Sequence, residues 1–396
     1  LCALSRRELY LPSGKTDPLW GSNKPKAAFY RLSASPQYLL QALTRAMKDA
    51  DVPLVKAIIT SLGKTTGASA LTKPLPCGTQ PLVDALLYPE RTVQYLAAET
   101  LATAMPTKHF PGSNSVIPIL ASAIRQRGKK YCLLVTNDQT NRNTLKAAIR
   151  DAGYEVVEAS DLSKLIVTAT QAPGVDVVVT GPAVEHDAVT RLMRPSLTFA
   201  YTPILACKAT PQARAFARKD GKMVLLAPGN LSSAAVAKGL AAVVKIAVGK
   251  PLPEGKAIAW AIRATNAIAE TGKRPTIYNT KRALGSLVGA SNNEYEPDLQ
   301  IAAAKALATI NSPSAQQAII RLALRADETE VRIAACKAAT SSIQRFANMA
   351  KRAQTDALVD MIASPKGGKL YEASAQLLGA MNLSSDQAKS LILKSK

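Results

Sequence analysis

One short pattern recurs along this chain and restricts its fold more than any other feature. Residues 54–63 read LVKAIITSLG, 93–102 VQYLAAETLA, 299–308 LQIAAAKALA and 331–340 VRIAACKAAT, with a looser copy, LYEASAQLLG, at 370–379. Each begins with an apolar residue and carries another, or alanine, eight positions later. Small or aliphatic residues lie between. At 3.6 residues per turn these positions fall on one helix face, and small residues there let a second helix approach closely. A turn signal precedes each strong copy: KDADVP at 48–53, YPERT at 88–92, NEYEPD at 293–298 and ADETE at 326–330. Before those turns lie further amphipathic stretches, expected as helices over Tyr38–Lys48, Leu82–Leu87, Thr280–Val288 and Ala315–Arg325. Leu54 to Val93 is 39 residues, Leu299 to Val331 is 32 and Val331 to Leu370 is 39. A helix–turn–helix unit with that period cannot bury its own apolar face, so copies must stack.

Composition agrees with stacked small-residue helices. Apolar residues make up 47% of the 396 residues, which excludes disorder, whereas aromatics are only 5%. The segments DVPLVKAIITSLG, ERTVQYLAAETLA, DLQIAAAKALA and TEVRIAACKAA resemble the HEAT-repeat family, in particular its short bacterial type related to phycobilisome-lyase repeats. The resemblance covers roughly the first 125 and the last 140 residues. It implies an α-helical solenoid, which in that family mostly serves as a protein-binding scaffold and in some members binds nucleic acid. Lyase activity does not carry over, because a repeat brings no chromophore site.

Between the repeats the pattern changes. KYCLLVT at 130–136, YEVVEAS at 154–160, VDVVVTG at 175–181, TPILACKA at 202–209 and KMVLLAP at 222–228 are apolar runs of strand length. Helical patterns separate them, at 142–153, 162–171, 184–193 and 211–218, and a long one follows at 232–248. Apolar strands alternating with helices imply a parallel sheet covered on both faces. The first strand with its downstream Arg142, AGYEVVEASD, GVDVVV, TPILACKA and the fifth strand closed by Pro228 together resemble a response-regulator receiver domain. The resemblance implies a flavodoxin-like fold with strand order 2-1-3-4-5. The expected domains are therefore 1–128 (N-terminal segment and HEAT-like repeats), 129–250 (receiver-like α/β) and 251–396 (C-terminal HEAT-like repeats).

A receiver implies specific chemistry. Two carboxylates after the first strand hold Mg²⁺, an aspartate after the third accepts phosphate, and a hydroxyl and a lysine follow the fourth and fifth. Matched position by position, the acidic pair falls on Thr136 and Asn137, with Asp138 one place late. The acceptor falls on Gly181, beside Thr180. The hydroxyl position holds Lys208 and the lysine position Ala227. A degenerate pocket is thus expected, with Asn137 and Asp138 turning the chain or capping the next helix. A sharper alternative pairs Lys208 with Asp138.

No other catalytic, cofactor or metal site is expected. The five cysteines show no CxxC spacing and the chain has two histidines, His109 and His186. LPSGKTD at 11–17 and SLGKTTG at 61–67 lack the first glycine of a phosphate loop and read as loops after helices, with glycine as C-cap. The chain opens LCALSRRELY without an initiator Met, as a processed protein or a piece of a longer one does. No apolar run reaches membrane-spanning length, and nothing distinguishes cytoplasm from cell envelope. The net charge is +22, from 50 Lys+Arg against 28 Asp+Glu, which favours acidic partners. Arg214, Arg218, Lys219 and Lys222 form a basic, partner-facing helix end, and KRPTIYNTKR at 273–282 is a second basic loop containing Tyr278. The chain is expected to be a non-enzymatic scaffold or structural subunit of a multi-protein assembly. The alternatives are a basic nucleic-acid-binding repeat protein and a phosphorylation-regulated receiver.

Overall fold

The computed structural model describes residues 1–12, 15, 17, 21, 26–76, 78–126, 130–159, 165–171, 175–182, 184–193, 202–207, 209–226, 230–249, 252–274, 276–363 and 368–383. The chain forms two compact units. One comprises Leu1–Ile119, Lys130–Pro251 and Thr276–Tyr278; the other comprises Leu120–Lys129, Leu252–Pro275 and Asn279–Lys396.

In the first unit the recurring pattern forms helices Val52–Thr65 and Arg91–Thr103. Each is preceded by its expected partner, Pro36–Lys48 in one case and Pro81–Asp84 with the 3-10 turn Ala85–Leu87 in the other. The acidic turns act as caps. Asp51 accepts from Leu54 N at 3.1 Å, and Glu90 accepts from Val93 N at 2.9 Å; each satisfies a backbone donor that has no partner inside its helix. Leu39, Leu43, Leu54, Ile58, Leu62 and Leu101 are fully buried between the helices. Gly63 does not cap the helix, contrary to expectation. The helix runs on to Thr65, and Gly63 faces Thr100, whose Cγ2 would lie 3.2 Å from a Cβ at that position. Close helix packing, a tertiary demand, put glycine there.

The same unit contains a five-stranded parallel sheet: β1 (Lys130–Val135), β2 (Tyr154–Ala159), β3 (Val177–Thr180), β4 (Ile204–Ala206) and β5 (Met223–Leu225). The strand order is β2-β1-β3-β4-β5, the flavodoxin-like order. Alternate residues of β1 serve opposite faces. Leu133 and Val135 join the core with helices Leu165–Gln171, His186–Met193 and Pro211–Asp220. Cys132 and Leu134 join the core with helices Gln139–Asp151 and Ser233–Val248. Both faces being covered explains the unbroken apolar runs. Arg91 donates to Val248 O (3.3 Å) and Gly249 O (3.4 Å). A cation thus sits on the last carbonyls of helix Ser233–Val248, where the helix dipole favours it.

The second unit is a stack of helix pairs. Helix Leu284–Ala290 pairs with Pro297–Leu307, Pro313–Arg325 with Thr329–Phe346, and Arg352–Ala363 with Lys369–Ala380. The second helix of each pair packs on the next, and Glu254–Lys273 begins that row. Buried alanines (Ala303, Ala304, Ala306, Ala335 and Ala339) line these contacts. Helix Arg352–Ala363 was not anticipated from the sequence, because its mixed surface shows weak periodicity. Among the described residues no helix is long and apolar enough to cross a membrane.

Candidate functional site

In flavodoxin-like sheets, ligands bind beyond the carboxyl ends of the strands, where the strand order reverses. Here that point lies between β1 and β3, and the residues after those strands meet there. Gly181 N donates to Val135 O at 2.8 Å, and Cys207 N donates to Thr180 O at 2.9 Å. Thr136 and Thr180 are buried. Thr136 packs directly onto Gly181. A Cβ on Gly181 would lie 2.8 Å from Thr136 Cβ and closer still to its hydroxyl, nearer than real side chains approach. The position after β3 therefore has no room for any side chain while Thr136 occupies the position after β1.

Asp138 is the carboxylate of this end, and local structure uses both its oxygens. One accepts from Thr140 N (3.0 Å) and Asn141 N (3.4 Å), capping helix Gln139–Asp151. The other accepts from the Asn141 side-chain amide. Asn137 lies at the turn before the cap. Arg142 returns to donate to Thr136 O at 3.0 Å, fixing the backbone that presents Thr136. One capped carboxylate beside hydroxyls does not fit a Mg²⁺ site, which needs several oxygen ligands in octahedral array. Among the described residues no cluster of three His, Cys, Asp or Glu could hold a metal. Lys208 and Ala227 lie outside the described residues, as does the proposed Lys208–Asp138 pair.

The cap can be tested directly. Asp138→Ala is expected to cost about 1 kcal/mol of stability, the usual worth of an N-cap, and to leave Mg²⁺ without effect on the melting temperature in either protein. A Mg²⁺-dependent stabilisation present in the parent and lost in the variant would instead make Asp138 a ligand.

The thiols offer no nucleophile here. Burial pushes Cys132 far up and Cys207 up to about 12, so neither forms thiolate near neutrality. Cys77 lies outside the described residues.

On helix Pro211–Asp220, Arg214, Arg218 and Lys219 are exposed and Lys222, just past its end, is half-buried. Phe216 and Ala217 anchor the helix to the sheet, so the basic residues present a fixed face. Tyr278 cannot stack on a base: it is buried, and its hydroxyl donates to Leu101 O at 2.9 Å. Sequence reasoning missed a further group of cations, Arg321, Arg325, Arg332 and Lys351, which the helix stack brings around one cleft.

Residues 286–379 match the family of HEAT repeats. Among solved structures the chain is similar to the chemotaxis response regulator CheY4 of Vibrio cholerae, at 22% identity and a TM-score of 0.26, covering 29% of this chain and 98% of that one. No curated protein matches the chain. Residues 286–379 thus match HEAT repeats in sequence and stack as helix pairs, and the sheet has flavodoxin-type topology by its strand order.

Proposed function

We propose that the chain is a non-catalytic interaction scaffold or structural subunit of a larger assembly, whose α/β domain serves as a rigid module and not as a phosphorylation switch. The observation that carries this reading is Thr136 seated on Gly181 at the topological switch point, with Asp138 committed to its cap. A switch of the receiver kind needs an aspartyl nucleophile and a metal cluster at that point, and among the described residues the side chains there supply neither. Stacked helical repeats offer an extended surface to protein partners. The exposed Arg214, Arg218 and Lys219, with Lys222 beside them, suit an acidic one.

Treatment with acetyl phosphate and Mg²⁺ is expected to leave the intact mass unchanged, and mild purification from the native source to retain protein partners. A phosphoryl adduct on the α/β domain, or a chain that stays alone at native concentration, would sink this reading. The charge of +22 supports nucleic-acid binding as a second reading. It requires oligonucleotide binding with a steep salt dependence that Arg214→Glu with Arg218→Glu weakens.

A further inference from the structure

A cleft of about 580 Å³ opens in the HEAT repeats between helices Pro313–Arg325 and Arg352–Ala363. Arg321, Arg325, Arg332 and Lys351 line it, and among the described residues no aspartate or glutamate does. Among the described residues none of these cations forms an ion pair. Leu324, Ala357 and Met361 supply an aliphatic floor. The volume is in the range of built ligand sites.

The placement of the cations is costly in the absence of an anion. Arg321 and Arg325 lie four residues apart on one helix and are both exposed, a like-charge spacing that destabilises helices. The dipole at the helix end accounts for Arg325 but not for Arg321. Arg332 lies in the first turns of helix Thr329–Phe346 and reaches the last turn of helix Pro313–Arg325, whose dipole favours a cation there. Its Nε donates to Ala323 O at 3.1 Å, while Nη2 meets the Met361 sulfur at 2.8 Å. A thioether is a weak acceptor, so the guanidinium retains donor capacity towards the cleft. The base is held firm: the Gln354 amide donates to Gln317 O at 2.8 Å, and the Gln317 amide to Met349 O at 3.1 Å.

We infer that this cleft binds an acidic peptide segment of a partner protein, with carboxylates on the arginines and aliphatic side chains on the floor. Arginine pairs with carboxylates in a two-pronged geometry that fixes orientation, and the aliphatic floor matches side chains that a phosphate backbone lacks. Among the described residues no aromatic side chain lines the cleft, so they offer no platform for stacking bases. The inference rests on the scaffold reading and adds the chemistry of one partner.

The test uses the full chain and a short fluorescein-labelled peptide of alternating glutamates and leucines, followed by anisotropy. Saturable binding is expected, and the same peptide with lysines for glutamates should not bind. Arg321→Glu combined with Arg325→Glu should weaken binding by about tenfold or more. Both side chains are exposed, and an unchanged circular dichroism melt would show that the variant folds. Arg321→Ala with Arg325→Ala provides a milder version, expected to weaken binding less. Equal affinity of the folded charge-reversal variant would overturn the inference, and so would displacement of the peptide by an oligonucleotide that binds more tightly. If the peptide fails to bind while native partners still copurify, the cleft proposal falls and the scaffold reading stands.

Discussion

Gly181→Asp is expected to destabilise the first unit by about 3 kcal/mol or more and to confer no phosphorylation. The substitution would reinstate the carboxylate that a receiver carries after its third strand, but two costs oppose it. The new Cβ would overlap Thr136 Cβ and hydroxyl. Relief would require moving the backbone after β1, which Arg142 holds at Thr136 O; overpacking a fixed site costs about 1–3 kcal/mol. The carboxylate would also lie among buried Thr136 and Thr180, where no metal-binding cluster occurs among the described residues and the nearby Arg142 is already engaged at Thr136 O, so burying the new charge adds to the loss. Urea unfolding followed by circular dichroism measures the cost, and intact mass after acetyl phosphate treatment tests the chemistry. Adding Thr136→Gly should recover part of the stability by removing the overlap. A single variant as stable as the parent would mean that the pocket is open, and the pseudo-receiver reading would lose its support.

Gly272→Val is expected to cost about 3 kcal/mol or more in the second unit. Gly272 lies in the last turn of helix Glu254–Lys273, and a Cβ there would come within 2.6 Å of Thr309 Cβ. Thr309 follows helix Pro297–Leu307, and its hydroxyl donates to Ala306 O at 2.7 Å; rotating the side chain would move the hydroxyl but leave the Cβ in the way. The two helices must separate, and their separation opens voids at buried Ala303 and Leu307, whose lining then loses packing contacts. Thr309→Ala alone should cost little, since its hydroxyl bond is local. Combined with Gly272→Ala it should show a favourable coupling of about 1–3 kcal/mol in a double-mutant cycle. Additive effects would mean that the helices can shift apart freely at this contact.

Much of the architecture was legible because its signals are periodic and local. The second helices of the repeats showed through apolar residues at helical spacing, and their starts through Asp51 and Glu90, whose side chains do cap the helices. The strands showed as apolar runs because both sheet faces are covered, and the order 2-1-3-4-5, which the resemblance to a receiver implied, is the order observed. Helix Arg352–Ala363 was missed because only one side of it is buried and its exposed side mixes alanine with charge. Gly63 was misread because a glycine near a helix end carries the same local signal whether it caps the helix or admits a neighbour.

The sequence by itself determined most of the major elements, the repeat period and the parallel sheet, which follow from spacing along one chain, and the receiver resemblance placed the residue types standing at the switch point. Only the tertiary structure decided that Thr136 fills the space over Gly181, that Tyr278 is buried and engaged at Leu101, and that Arg321, Arg325, Arg332 and Lys351 share one cleft. Those facts depend on close approach between side chains from separate elements. Periodicity says which face of a helix turns inward, but the partner it meets and the space left between them are set by packing.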